Sequence, residues 1–135
     1  PCPEKGRTMR ASVRTALLLL LLPAAACDQN ATKVREEARL LTGGDPDKGV
    51  SAIGRYGCGA CHTIPGVQGA TGTVGPPLAG IAARGYLAGR LSNSPSNMKS
   101  WIQHPQAIAP GTAMPEMRIP DEDATHITAF LYTLR

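Results

Sequence analysis

Cys58-Gly59-Ala60-Cys61-His62 is the one stretch of this chain whose residue types and spacing specify a chemistry. Two thiols two residues apart, followed at once by an imidazole, form the C-x-x-C-H pattern that attaches a c-type haem. The thiols add across vinyl groups at one porphyrin edge, which both sulfurs can reach from a single tight turn. His62 then falls under the iron as its axial ligand. In a chain of this composition the pattern arises by chance with a probability of about 0.003, so it decides the reading. The rival uses of C-x-x-C fare worse. A thioredoxin-like dithiol sits in a βαβ setting, whereas the flanks here are rich in Gly and Ala and lack β-branched runs. A structural zinc site needs a second ligand pair at suitable spacing, and no two further Cys or His supply one. The third rival is a disulfide.

His62 leaves the opposite axial position open. In haem proteins that transfer electrons it is most often filled by Met, which raises the potential relative to His. Of four methionines, Met9 lies in an N-terminal leader and Met98 inside a predicted helix, where it reads as core. Met114 lies in Pro110-Gly-Thr-Ala-Met-Pro115, an extended loop able to lay a thioether across a haem face. Met117, three residues later, is its competitor. His104 precedes a proline at a helix end and reads as a C-terminal cap. His126 reads as a solvent-facing residue of the last helix.

The elements that must position these groups are helices and loops. Asp45 is a helix N-cap with Pro46 at the first helical position, and that helix runs from Asp47 to about Tyr56. Gly49 shares a face with Ile53 and Tyr56 and permits close packing there. Pro65 to Leu78 is a long Gly/Pro-rich loop without periodicity, of the kind that wraps a ligand. Ser94-Pro95 opens a helix from Ser96 to about His104, which Pro105 stops. A second irregular loop holds Pro110 to Pro120. Asp121-Glu122-Asp123 places three acids at the positive end of the last helix, and Ala124, Ile127, Phe130, Leu131 and Leu134 form its apolar stripe. With no convincing strands, the fold class is all-α.

The chain starts at Pro1, and Met9-Arg10 through Arg14, the leucine run to Leu22 and the small residues before Cys27 read as a secretory leader. The run is too short to span a bilayer. Residues Pro1 to Thr8 are expected to lie outside the natural product, and 1–26 outside the fold. Cys27 stands where a bacterial lipoprotein carries its acylated cysteine, although Ala24 occupies the position usually held by Leu. The reading is an extracytoplasmic, periplasmic protein anchored to the inner membrane through lipidated Cys27, with Asp28 consistent with retention there. Simple cleavage is the alternative. Residues 27–44 alternate in charge and read as a tether, helical in part, leaving 45–135 as the one domain. With Cys2 upstream, Cys27 lipidated and Cys58 and Cys61 on haem, no disulfide framework remains.

The formal charge of +4 overstates the basic character. From Cys27 onward there are ten basic and nine acidic residues, and two haem propionates would bring the sum to about −1. Nothing points to nucleic acid. One Phe, three Tyr and one Trp make a lean core for this length, so a large buried cofactor is expected to complete it.

On these motifs the chain resembles the class I c-type cytochromes, over about Asp47 to Arg135. The resemblance implies a small cytochrome c fold of three to five helices wrapped around one covalent haem c. In that family a Gly-Pro-x-Leu segment follows the haem motif, here Gly75-Pro76-Pro77-Leu78. The implied role of Pro76 is to accept the Nδ1–H of His62 through its carbonyl. The family often places an Arg near a propionate six residues on, which is Arg84. The family pattern also favours Met114 over Met117 as axial ligand. Trp101 and Thr112 are further candidates for the haem edge or propionates, with Trp101 also readable as core. Ala88 to Ile102, His104-Pro105-Gln106 and Gly75 to Leu78 are similar to the cytochrome c domain fused to subunit II of some haem–copper oxidases, here without the copper domain or membrane hairpin. The resemblance implies a non-enzymatic electron carrier of a respiratory chain. It would take electrons from a quinol-oxidising complex or periplasmic dehydrogenase and pass them to a terminal oxidase. A small-ligand sensor with a labile sixth position is the alternative; a dihaem peroxidase would need a second motif.

Overall fold

The computed structural model describes residues 22–135, with side chains described from residue 29. The leader as far as residue 21 and the Cys27 side chain lie outside the described residues. The chain divides into two units between Thr32 and Lys33. Helix α1, Leu22–Thr42, runs through that division. In the second unit, the stretch that the charge alternation reads as a tether is helical, and Arg35, Glu37 and Arg39 of it have partners. Arg39 reaches Asp45 and Asp47, each at 3.1 Å, Glu37 meets Arg135 at 2.7 Å, and Ala38 is buried. Alternating charge marks a helix face here because the opposing charges stand on the next helix and at the C-terminus.

Helix α2, Pro46–Arg55, starts as its capping residues require: the Asp45 carboxylate accepts the Asp47 N–H at 2.9 Å and Pro46 takes the first turn. A turn of 3₁₀ helix, Cys58–Ala60, follows at once, and a second spans Ile81–Ala83. Two short strands, β1 (Tyr86–Leu87) and β2 (Leu91–Ser92), pair antiparallel with Leu87 opposite Leu91. Three residues, Ala88, Gly89 and Arg90, connect them; the Arg90 N–H donates to Leu87 O at 2.9 Å, and the two central residues of that turn, Ala88 and Gly89, both have positive φ. A pairing of two residues has no periodicity to read in advance, and it forms no layer. The fold is all-α, a small bundle of helices and loops.

Helix α3, Pro95–Gln103, is capped by the Ser94 hydroxyl, which accepts the Asn97 N–H at 3.2 Å. Pro105 does more than stop it. Lacking an N–H and fixed near helical φ, it occupies the first position of a further short helix, α4, Pro105–Ile108. His104 ends α3 with its N–H on Ser100 O, and its exposed ring stands 4.0 Å from Glu116.

Helix α5, Asp121–Leu131, packs across α2. Its three N-terminal acids pair as well as complementing the helix dipole: Asp121 meets Lys99 at 2.9 Å and Asp123 meets Arg55 at 2.7 Å. Its inner face buries Ala124, Ile127, Phe130 and Leu131 against Ala52 and Ile53 of α2. Gly49 sits at the crossing, where a Cβ would stand 2.8 Å from that of Phe130. His126 departs from the expectation of a solvent-facing ring. Its side chain is 13% exposed, and Nδ1 accepts the Asp45 N–H at 2.9 Å. The N-cap amide of α2 has no partner within its own helix, and an imidazole from α5 supplies one.

Candidate functional site

The haem motif is wound as a single turn. The N–H groups of Cys61 and His62 both donate to the Cys58 carbonyl, at 3.2 and 3.0 Å. This places both thiols on one turn, half-buried and unbridged. Burial pushes the Cys58 thiol above its ordinary pKa. The Gly/Pro-rich loop is stitched back onto this turn. Gly72 N–H donates to Gly59 O at 3.0 Å, Gly75 N–H to Cys61 O at 2.8 Å, and Leu78 N–H to Thr63 O at 2.9 Å.

The stitching brings the Pro76 carbonyl 2.8 Å from Nδ1 of His62. With Nδ1–H donating there, Nε2 carries the lone pair that a metal would take. The loop can pass this close only because residue 75 is glycine. A Cβ there would stand 2.6 Å from Nδ1 of the His62 ring.

Facing the turn is a cavity of about 440 Å³, walled mainly by aliphatic and aromatic side chains. α2 and its C-cap contribute Ile53 and Tyr56, α3 contributes Met98 and Trp101, and α5 contributes Ile127 and Leu131. Cys58, Cys61, His62, Pro76, Arg84, Trp101, Thr112 and Met114 all line it, although the last lies more than fifty positions from the first. His104 and His126 do not. Met117 does, but it packs against the core, and Met98 is 2% exposed within that core. The Arg84 guanidinium donates to the carbonyls of Pro77 and Ala79, so part of its capacity holds the loop that carries Pro76.

Two features of the site have no sequence motif. Tyr56, one of the wall residues, donates its hydroxyl to Asp123 Oδ2 at 2.7 Å. That bond, followed by the one from Arg55, holds the Asp123 carboxyl below its ordinary value, and the same bond, followed by burial, raises the Tyr56 hydroxyl above its own. Only the proximity of Tyr56 to Cys58 in sequence could have drawn attention to it. Gln106 contacts the loop carrying Met114 through its side-chain amide, and no periodicity distinguishes it.

Comparison with known protein families settles the class. The family model for cytochrome c matches residues 47–135, about two thirds of the chain. The chain belongs to the cytochrome c family. No curated protein and no solved structure matched it. Membership implies covalently bound haem c and the electron-transfer role typical of these proteins. The residues of this cytochrome c domain fit such a group. Two adjacent thiols stand at the edge of an apolar cavity, and an imidazole with Nδ1 engaged presents Nε2. Among the described residues, no cluster of three or more His, Cys, Asp or Glu could hold a separate metal ion. No helix among them is long and apolar enough to cross a membrane.

Proposed function

We propose that this cytochrome c holds one haem between His62 Nε2 and Met114 sulfur and serves as a single-electron carrier outside the cytoplasm. The observation that carries the proposal is convergence: the C-x-x-C-H turn, the Pro76 carbonyl on His62 and Met114 meet on one apolar cavity. Bound haem supplies the Fe(III)/Fe(II) couple; the chain has to attach it, exclude water and set its potential. Cys58 and Cys61 attach it. Pro76 orients the His62 ring and raises its basicity. Among the cavity methionines, Met98 and Met117 are already engaged in core packing, which leaves Met114 as the sulfur donor. Arg84, Trp101 and Thr112 line the same cavity and are assigned to the haem periphery.

The partners follow from the resemblance to oxidase-fused cytochrome domains. The donor is a quinol-oxidising complex or a periplasmic dehydrogenase, and the acceptor a terminal oxidase. The leader and Cys27 support a lipid tether to the inner membrane. Mass spectrometry of the mature N-terminus tests the tether, and an unmodified Cys27 rejects it.

The ligand assignment is tested by visible spectroscopy. The oxidised protein is expected to be low-spin with a Met–iron charge-transfer band that is lost in Met114→Ala and kept in Met117→Ala. A high-spin spectrum, or ready CO binding by the reduced wild type, refutes the carrier.

A further inference from the structure

We propose that Gln106 is the positioning residue for the Met114 sulfur, an inference that rests on the axial role given to Met114 above. Gln106 lies on α4, and its side-chain amide makes three hydrogen bonds to the loop that follows. Nε2 donates to Thr112 O at 2.7 Å and to Met114 O at 2.8 Å. Oε1 accepts the Gly111 N–H at 3.1 Å. Two carbonyls demand the NH₂ end and one N–H demands the oxygen, so a single amide orientation satisfies all three. The loop returns the contact, because Glu116 Oε1 accepts the Gln106 backbone N–H at 3.2 Å.

The loop needs this help. Its own backbone supplies a turn from Thr112 N–H to Ala109 O at 3.0 Å, and Met114 stands beyond that turn. The Gln106 amide bonds directly to the carbonyl of Met114 itself. It therefore holds the Cα from which the thioether extends, and a thioether has three rotatable bonds to lose before it can remain at one point. Fixing the backbone removes motion that those torsions would amplify. Gln106 acts through Met114 and is not a ligand.

The test uses the full haem-loaded protein with Gln106→Leu, Gln106→Glu, Met114→Ala and, as a matched control, Gln103→Leu. Gln103 also bonds this segment, through Nε2 to Ile119 O at 3.3 Å, but past Met114. The readout is the rate at which CO enters the reduced protein, which requires the sulfur to leave, with the charge-transfer band and far-UV circular dichroism followed on heating. In both Gln106 variants the rate is expected to rise about tenfold or more, since at least two hydrogen bonds are lost. The band is expected to vanish at a lower temperature than helix melting, while Gln103→Leu behaves as wild type. A wild-type CO rate in folded Gln106→Leu overturns the inference. If that variant does not mature, Gln106→Glu decides. Its carboxylate faces two carbonyls at neutral pH, and its CO rate should fall back as acid restores an O–H donor; a flat profile overturns the proposal. Retention of the band in Met114→Ala would defeat the axial assignment itself. Loss of the band there, with a wild-type rate in Gln106→Leu, would defeat only the role of Gln106.

Discussion

Gly49→Ala and Gly54→Ala place the same methyl group five residues apart on α2, and the structure predicts opposite signs. At Gly49 a Cβ would stand 2.8 Å from Phe130 Cβ and closer still to the His126 carbonyl oxygen. Ordinary contact begins at 3.4 Å, so α2 and α5 must part by about 0.6 Å or more at the crossing. Overpacking of this kind costs about 1–3 kcal/mol. Parting the helices also strains the bond between Asp45 N–H and His126 Nδ1, worth about 1 kcal/mol. Helix propensity returns about 1 kcal/mol for replacing Gly by Ala. The net expectation is a loss of about 1–3 kcal/mol, or roughly 4–24 °C in Tm at about 4–8 °C per kcal/mol for a domain of this size. At Gly54 a Cβ meets nothing within 4 Å and φ is not positive, so only the propensity gain remains. Near a helix end that gain is about 0.5 kcal/mol, a rise of about 2–4 °C. Both melts are followed by far-UV circular dichroism and by haem absorbance. The two signals should fall together in Gly49→Ala, since Ile53 of α2, Tyr56 at its C-cap, and Ile127 and Leu131 of α5 also wall the cavity. A Gly49→Ala protein that melts at or above wild type would refute the close-approach argument.

Two further outcomes are expected. The Tyr56–Asp123 bond needs an ionised carboxylate and a protonated phenol. The lowered Asp123 makes its contribution complete above the ordinary value of 3.8 and lost as pH falls below it. The raised Tyr56 makes its contribution complete below 10.0 and lost as pH climbs past that value. Urea titrations should therefore show a stability gap between wild type and Asp123→Asn that is level between these limits and shrinks outside them; a gap that grows in acid contradicts the assignment. Ala88 holds a left-handed φ of 49° in the hairpin turn, so Ala88→Gly should gain about 0.5–1 kcal/mol in denaturant unfolding, and a loss would show that the turn carries no strain.

What could be read from the linear chain was covalent or local. C-x-x-C-H binds chemistry to five consecutive residues, and Asp45-Pro46 and Ser94-Pro95 mark helix starts because a cap acts within one turn. The expectation that Gly49 permits close packing also followed from α2 alone, since only glycine leaves that face bare. Pro105 was legible as a break but not as the start of α4, which depends on where the chain goes next.

Tertiary structure decided which of these pieces face one another. His126 lies four positions after Glu122 and looks like one more polar residue of α5, yet α2 lays an unpaired N-cap amide against it. Tyr56 and Asp123 are sixty-seven positions apart, and Gln106 reaches across a loop whose path no periodicity encodes. The cavity is likewise the sum of short, separate stretches. A sequence specifies its caps and its covalent chemistry within a few residues. Burial and hydrogen-bond partners between distant segments exist only once the helices have packed, because packing alone determines which polar groups lose water and must find each other.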